Sequence, residues 1–513
     1  MPLVLLPLLR FVAAILSITF VRARRPLIFM SHVVDGLLLA WLVVALTRGI
    51  PSLITIGSVP NGLGISMIGD RIGMTFASLA WGLSIAVSVF TWKDQLRPYF
   101  FLLFHLLIGA CYALAFTKDL FNAYLLFELL TLVSFLLVGY QRQPRQIWAS
   151  LNYLILSSLG MTVFLFGVGV VYAHCGSLDY AILVPLIANA AGEPWVLLAA
   201  SLLVAGVAVK AGVFTFSLWL PSAHARAMPP VSALLSGLVI KMGVLELFRL
   251  ADIFPIQLPL LVLGSITGLL GTLYAVFTYD LKKMLAFSTL AQIGYILIGS
   301  GASTWEGRLG ALEYAVAHGL FKSLLFLALG EAATQLGNAQ CDTLVAHKND
   351  IPWGTRIALI IGTLGIIGLP PLAGFDAKVI LEDGLASITL RIVVLLISVG
   401  TAMSFSKFIP ILFAKSTCRT DLPHAMAYSW LGGLILAFWP ISVAMSSWSC
   451  CIHAFTIVHI AEAVGAIAIG GAVYALFRKR TFRLPQAIFH LEISPLIILL
   501  GFVAVYVLIA VGN

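Results

Sequence analysis

The chain has 513 residues, is 61% hydrophobic and only 10% charged, with a mean hydropathy of +1.06. That composition excludes a soluble globular protein and identifies an all-α polytopic membrane protein, because a helix satisfies its own backbone hydrogen bonds in lipid. Net charge is +9, yet the basic residues cap apolar stretches instead of forming one surface, which excludes nucleic-acid binding.

At roughly 20 apolar residues per span, the chain accommodates about 14–16 transmembrane helices. Spans near 3–20, 29–47, 73–91 and 99–117 come first, and charge there is expected only in the linking loops. The apolar N-terminus lacks a basic n-region and a small-residue cleavage site, so it reads as a retained span. The next span, FNAYLLFELLTLVSFLLVGY (121–140), contains Glu128. Spans near 148–173 and 194–222 follow. Lys210 lies mid-way along the second, with no carboxylate nearby in sequence, and Pro221 and SAHARAMPP interrupt its end. The span 230–250 contains Lys241 and, towards its end, Glu246 and Arg249, read as a pair near the interface.

A second set resembles the first. FELLTLVSFLLVG (127–139) aligns without gaps on FSTLAQIGYILIG (287–299), and LNYLILSSLG (151–160) on LEYAVAHGLF (312–321) at nearly the same offset. Duplicated units are expected of transporter folds. His318 and Lys322 are four apart and share one helical face. Glu313 is expected at the outer interface. GLPPLAGFDAK (368–378) interrupts a further span, because proline removes a backbone donor and clashes with the preceding turn; Lys378 ends it. Asp376 reads as a loop or cap residue, and Lys407 as a weaker candidate for the same region. Spans near 429–449, 455–476 and 490–511 close the chain. The domain boundaries expected are 1–98, 99–250, 251–415 and 416–513.

An ammonium or carboxylate deep in a span costs at least about 2–3 kcal/mol, so such groups face a bundle interior or a hydrated cavity. The series Glu128, Lys210, Lys241, His318, Lys322 and Lys378 therefore reads as an ion pathway, most naturally for protons. Lysine suits a relay because a buried amine can give up its proton whereas guanidinium stays charged. Histidine changes charge between about pH 5 and 8.

RARR (22–25), RQPR (142–145), DLKK (280–283) and RKRTFR (478–483) fall on one side when the spans are counted. The positive-inside rule makes that side cytoplasmic and puts both termini outside, for a multi-pass protein of the cell's inner (plasma) membrane. Asp280, Lys282 and Lys283 read as anchors at a cytoplasmic helix start. The six cysteines form no metal or redox motif, and adjacent Cys450 and Cys451 are poorly placed to bridge each other. There is no CxxC, GxGxxG or Walker sequence. No cofactor and no metal are expected, and the chain shows no redox or nucleotide site that would make it an enzyme by itself.

LLFELLTLVSFLLVGY, KAGVFTFSLWLPSAHARAMPPVSALLSGLVIKMGV, YDLKKMLAFSTLAQIGYILIG and GLPPLAGFDAK together resemble the proton-antiporter-like membrane subunits shared by respiratory complex I, membrane-bound hydrogenases and Mrp-type cation/proton antiporters. The likeness covers roughly residues 60–415. It implies two inverted five-helix repeats, each with a broken helix, followed by peripheral helices. The stretch from Ser222 to Val244 looks most like the Mrp-type members of that family.

The resemblance also implies an ion pair between Glu128 and Lys210 whose separation sets the proton affinity of the lysine. It implies water-linked transfer to Lys241, then to His318 and Lys322, and exit at Lys378. The expected function is the proton-translocating subunit of a multi-subunit Na+/proton antiporter, with other membrane subunits and the bilayer as partners. The alternative is a pumping subunit of an NADH-quinone oxidoreductase or membrane-bound hydrogenase complex.

Overall fold

Aspartate and threonine side chains mark where several helices begin: Asp70, Asp119, Asp179, Asp280 and Thr304 each accept from a backbone amide of the first turn. A computed structural model describes residues 2–50, 52–57, 64–416, 418–438, 454–477 and 494–512. The cysteine pair 450–451, the second half of the predicted span 429–449 and the basic cluster 478–483 lie outside the described residues.

In chain order the helices are α1 (Pro2–Thr19), α2 (Arg24–Thr47), α3 (Arg71–Phe90), α4 (Pro98–Phe116), α5 (Leu120–Val138), α6 (Pro144–Cys175), α7 (Tyr180–Asn189), α8 (Pro194–Ala211), α9 (Leu220–Arg226), α10 (Pro229–Leu234) and α11 (Ile240–Ile253). They continue with α12 (Gln257–Phe277), α13 (Leu281–Ser300), α14 (Trp305–Gln335), α15 (Cys341–Ala346), α16 (Trp353–Ile367), α17 (Ala373–Asp383), α18 (Ile388–Phe405), α19 (Ile409–Leu412), α20 (Leu422–Leu436), α21 (Ile457–Phe477) and α22 (Ser494–Gly512). A short antiparallel hairpin, Leu53–Ile56 with Ile65–Ile68, joins α2 to α3 in the register Leu53 opposite Ile68. Among the described residues, thirteen helices are long and apolar enough to cross a membrane. The chain is a multi-pass, all-α membrane protein.

The helices form two units. One comprises Met1–Ala211, Leu238–Ile256 and Leu491–Asn513. In it α1 to α4 pack together, α6 packs on α5 and α8, and α8 also packs on α11 and α22. The other comprises Gly212–Gly237 and Gln257–His490. There α12 packs along α13, and α14 is surrounded by α10, α13, α16, α17 and α20. Glycines set the closest approach: Gly264 and Gly268 of α12 lie against the backbone of Gly294 in α13, too close for any side chain. Small residues at such crossings are how apolar helices gain packing energy in lipid.

One local pattern occurs twice along the chain. Asp119 caps α5 by accepting from the Asn122 amide at 2.7 Å, and Asp280 caps α13 by accepting from the Lys283 amide at 3.0 Å. Each cap satisfies donors that a helix start leaves unpaired. Asp119 also forms an antiparallel bridge with Asp179, just before α7, and Asp280 one with Gln340, just before α15. The helices after each bridge reach a glycine of positive φ: α8 stops before Gly212 (φ +83°) and α16 before Gly368 (φ +82°). Helical structure then resumes at α9 and α17.

The buried charges differ from expectation in the first four spans. Arg10, His32, Asp35 and His105 are buried within α1, α2 and α4, so charge there is not confined to loops. One or two ionisable groups in an apolar window barely lower its mean hydropathy, which hides them from a span-by-span reading. Glu313 is fully buried inside α14.

Candidate functional site

In the first unit, the polar groups collect around Lys210. Its side chain is 2% exposed near the end of α8. The ammonium donates to the hydroxyl of Thr131 on α5 and lies 5.3 Å from the centre of the Tyr153 ring on α6. Ser134, Ser157 and Thr131 lie near the Tyr153 hydroxyl. Glu128 is half-buried on α5, one turn before Thr131. Its charge acts on Lys210, but no ion pair within 4 Å joins the two among the described residues. The lysine is held on a hydroxyl, and the carboxylate acts on it at longer range.

Lys241 is fully buried near the start of α11, just after a π-helical turn at Leu235–Val239. Such turns open the backbone ladder and occur often at functional positions. Two residues on, Gly243 meets the backbone of Lys210 and Ala211; a Cβ there would stand 2.5 Å from the Ala211 nitrogen. The absence of a side chain at 243 lets α11 cross α8 at the level of Lys210, so both lysines belong to one helix crossing.

Glu246 and Arg249, expected as an interfacial pair, are buried and bond elsewhere. Glu246 accepts from the Tyr180 hydroxyl, and Arg249 donates to the carbonyls of Leu114 and Ala115, at 2.7 and 2.5 Å. Arg249 thereby closes the C-terminal end of α4, whose last carbonyls have no partner inside the helix.

In the second unit, one face of α14 carries Tyr314, His318 and Lys322 at intervals of four. All three are fully buried. Lys322 donates to the Leu285 carbonyl at 2.8 Å and to the Ser288 hydroxyl at 2.5 Å, both on α13. The His318 ring stacks on Tyr314, with centroids 6.2 Å apart. Tyr314 also presents its ring to Lys378, whose ammonium lies 5.4 Å from its centre and 5.5 Å from that of Tyr295. Lys378, on α17, donates to the Ile366 carbonyl at 3.1 Å, near the end of α16. The Tyr295 hydroxyl donates to Glu382 at 2.5 Å, one turn beyond Lys378, and the Tyr314 hydroxyl to Gln292 at 2.5 Å. An aromatic face attracts a cation without taking its proton. Lys378 is therefore held by ring faces and a carbonyl, with Glu382 at longer range.

Sequence reasoning missed Thr131, Tyr153, Ser288, Tyr295, Tyr314 and Glu382. Spacing alone could have flagged some: Thr131 follows Glu128 by three, Tyr314 precedes His318 by four, and Glu382 follows Lys378 by four. Three other predicted residues lie in the second unit. Lys407 donates to the carbonyls of Ala275, Val276 and Thr278 at 2.7–2.9 Å and closes the end of α12. Lys282 is buried and donates to the Ala227 carbonyl at 2.8 Å, so it is a tether and not a surface anchor. Asp376 lies in the first turn of α17, inside the helix.

Comparison with known proteins bears on the family and the fold. Residues 117–404 match the family model described as "NADH:quinone oxidoreductase/Mrp antiporter, TM". The chain is 31% identical over 347 residues to NADH-quinone oxidoreductase subunit N of Desulforudis audaxviator (strain MP104C), covering 65% of this chain and 69% of that protein. It is 29% identical over 353 residues to "Putative antiporter subunit mnhD2" of Staphylococcus aureus (strain MRSA252), covering 67% and 70%. A chain of the membrane-bound sulfane sulfur reductase, an archaeal respiratory membrane complex, superposes with a TM-score of 0.79 at 22% identity, over 91% of this chain and 99% of that one. At that identity the superposition speaks for the fold.

Proposed function

Because this chain belongs to the NADH:quinone oxidoreductase/Mrp antiporter transmembrane family, we propose that it is the proton-translocating subunit of a multi-subunit Mrp-type Na+/proton antiporter. Lys210, Lys241, Lys322, His318 and Lys378 carry the proton in series, and Glu128 modulates the first of them. The observation that bears most weight is that each of the four lysines is buried, that Lys322 bonds a hydroxyl and a carbonyl, and that Lys210 and Lys378 are held by a hydroxyl, a carbonyl or ring faces instead of a carboxylate. A fixed ion pair would lock the proton on the amine; a hydroxyl or carbonyl bonds the ammonium and lets it go.

In the first unit, Thr131 and Tyr153 supply hydroxyls that pass a proton to or from Lys210, and the Gly243 crossing brings Lys241 to the same level. In the second, Lys322, His318, Tyr314 and Lys378 follow one another from α14 to α17. Protons enter from the basic, cytoplasmic side through the first unit and leave at Lys378, and the reverse flow drives Na+ export. The caps and bridges at Asp119 and Asp280 support reading 99–250 and 251–415 as duplicated repeats. Both chain termini face outward in this reading, in the plasma membrane.

A second reading is a pumping subunit of a complex I-like assembly, favoured by the 31% identity to an NADH-quinone oxidoreductase subunit. Co-purifying chains separate the two: small antiporter subunits in one case, quinone or hydrogenase subunits in the other. In vesicles carrying the native complex, Lys210→Ala is expected to abolish proton-coupled exchange while assembly persists. Normal exchange by an assembled Lys210→Ala complex contradicts the relay.

A further inference from the structure

Arg10, His32, Asp35 and His105 lie near the middles of α1, α2 and α4, outside the residues matched by the family and outside the lysine relay. Arg10 is 0% exposed and Asp35 1%. Arg10 donates Nε to Asp35 Oδ2 at 2.6 Å, and its other nitrogens reach His32 Nδ1 at 2.8 Å and His105 Nδ1 at 3.1 Å. A guanidinium has donors only. Both Nδ1 atoms must therefore accept, and the neutral rings carry their protons on Nε2.

From there the network runs in two directions. His32 Nε2 donates to Ser88 Oγ at 2.9 Å, and Ser88 lines a small cleft with Arg24, Arg25, Thr91, Trp92 and Asp94. In the other direction, Tyr112 donates to Asp35 Oδ2 at 2.8 Å, so that oxygen takes every bond the carboxylate makes. Asp35 Oδ1 and His105 Nε2 have no hydrogen-bond partner among the described residues. One is a lone acceptor and the other a lone donor, and a buried polar atom left so costs about 1–3 kcal/mol. A purely structural ion pair has no use for that cost, nor for two imidazoles fixed by one guanidinium. The groups facing the pair are Arg10 from α1, His32 from α2, Ser84 and Ser88 from α3, and His105 and Tyr112 from α4. Arg10 and Asp35 cancel, so the site is neutral with both rings neutral.

We propose that α1 to α4 hold a second proton-binding site, centred on Asp35 and His32, that exchanges with the Arg24–Asp94 cleft through Ser88. On uptake Arg10 turns from His32 and the ring is in its Nδ1–H tautomer: Nδ1 gives its proton to Asp35 Oδ1, Ser88 gives its hydroxyl proton to Nε2, and water in the cleft reprotonates Ser88. The N–H, Ser O–H and water O–H bonds broken match the carboxyl O–H, Nε2–H and Ser O–H bonds formed, and the ring ends in the Nε2–H tautomer. Release to the cleft reverses each transfer. The ligand is a proton, because the fixed positive charge of Arg10 repels Na+.

Infrared difference spectra of the full complex, recorded between about pH 5 and 8, test this. A protonated-carboxyl band is expected on acidification in the wild type and in Lys210→Ala, and its loss in Asp35→Asn. Ser88→Ala is expected to keep the band but slow its appearance after a pH jump by about tenfold or more. If Asp35→Asn does not assemble, isotope-edited spectra of the wild type and of Ser88→Ala carry the test. No band in that range, or a band whose rate ignores Ser88→Ala, overturns the proposal. Because Lys210→Ala is included, a failed relay and a failed second site give different results.

Discussion

Gly243→Ala is a one-carbon change with a large expected effect. The added Cβ would stand 2.5 Å from the Ala211 nitrogen, 2.7 Å from its Cα and 2.8 Å from the Lys210 carbonyl carbon. All three are backbone atoms, so no rotamer change relieves the overlap. Restoring ordinary contact, 3.4 Å or more, separates α8 and α11 by roughly 1 Å beside Lys210. Overpacking of this kind costs about 1–3 kcal/mol, and a misplacement of about 1 Å among groups that exchange protons slows transfer by about 100-fold. We expect assembled Gly243→Ala complex in proteoliposomes to lose most of its proton-coupled exchange and to melt at lower temperature. Gly433→Ala, on α20 where an added Cβ meets nothing within 4 Å, is the matched control and keeps both. Wild-type exchange and stability in Gly243→Ala would refute the tight crossing and its role in placing the two lysines.

Four further outcomes follow from the same geometry. Thr131→Val removes the hydroxyl that holds the Lys210 ammonium and is expected to cost about 1–3 kcal/mol in thermal unfolding and to slow exchange, with Thr131→Ser restoring both. Tyr314→Phe keeps the ring between Lys378 and His318 and loses less exchange than Tyr314→Leu, measured by dye-monitored proton flux. Glu382→Gln removes the charge nearest the Tyr295 hydroxyl; exchange is expected to fall while assembly, read by gel filtration, persists. Lys407→Met loses three carbonyl bonds and lowers stability, yet exchange per assembled complex stays at the wild-type rate.

Much of the architecture could be read from the residues, because lipid leaves the backbone few choices and charge in a span is conspicuous. Lys210, Lys241, Lys322 and Lys378 stood out for that reason, and all four are buried. Their partners did not stand out. A threonine in an apolar helix usually satisfies itself, and Thr131 does donate back to Phe127 at 2.7 Å while accepting from Lys210. Tyr295 and Tyr314 look like ordinary aromatic packing until their rings are seen against an ammonium. Burial by neighbouring helices was the other blind spot. Glu246 and Glu313 fall near predicted ends of spans, but neighbouring helices cover them, and hydropathy along one segment carries no information about its neighbours. Arg10 and Asp35 were lost because they neutralise each other across two helices 25 residues apart in sequence, a pairing no single window contains.

The central claim is that the buried groups of the two units carry one proton in series. The direct measurement is proton-coupled exchange in proteoliposomes for Lys210→Ala, Lys322→Ala and the double variant, each normalised to assembled complex. Groups in one series fail together, so the double variant is expected to be no slower than the slower single one, a large departure from additivity. Losses that multiply would show two independent routes and contradict the account.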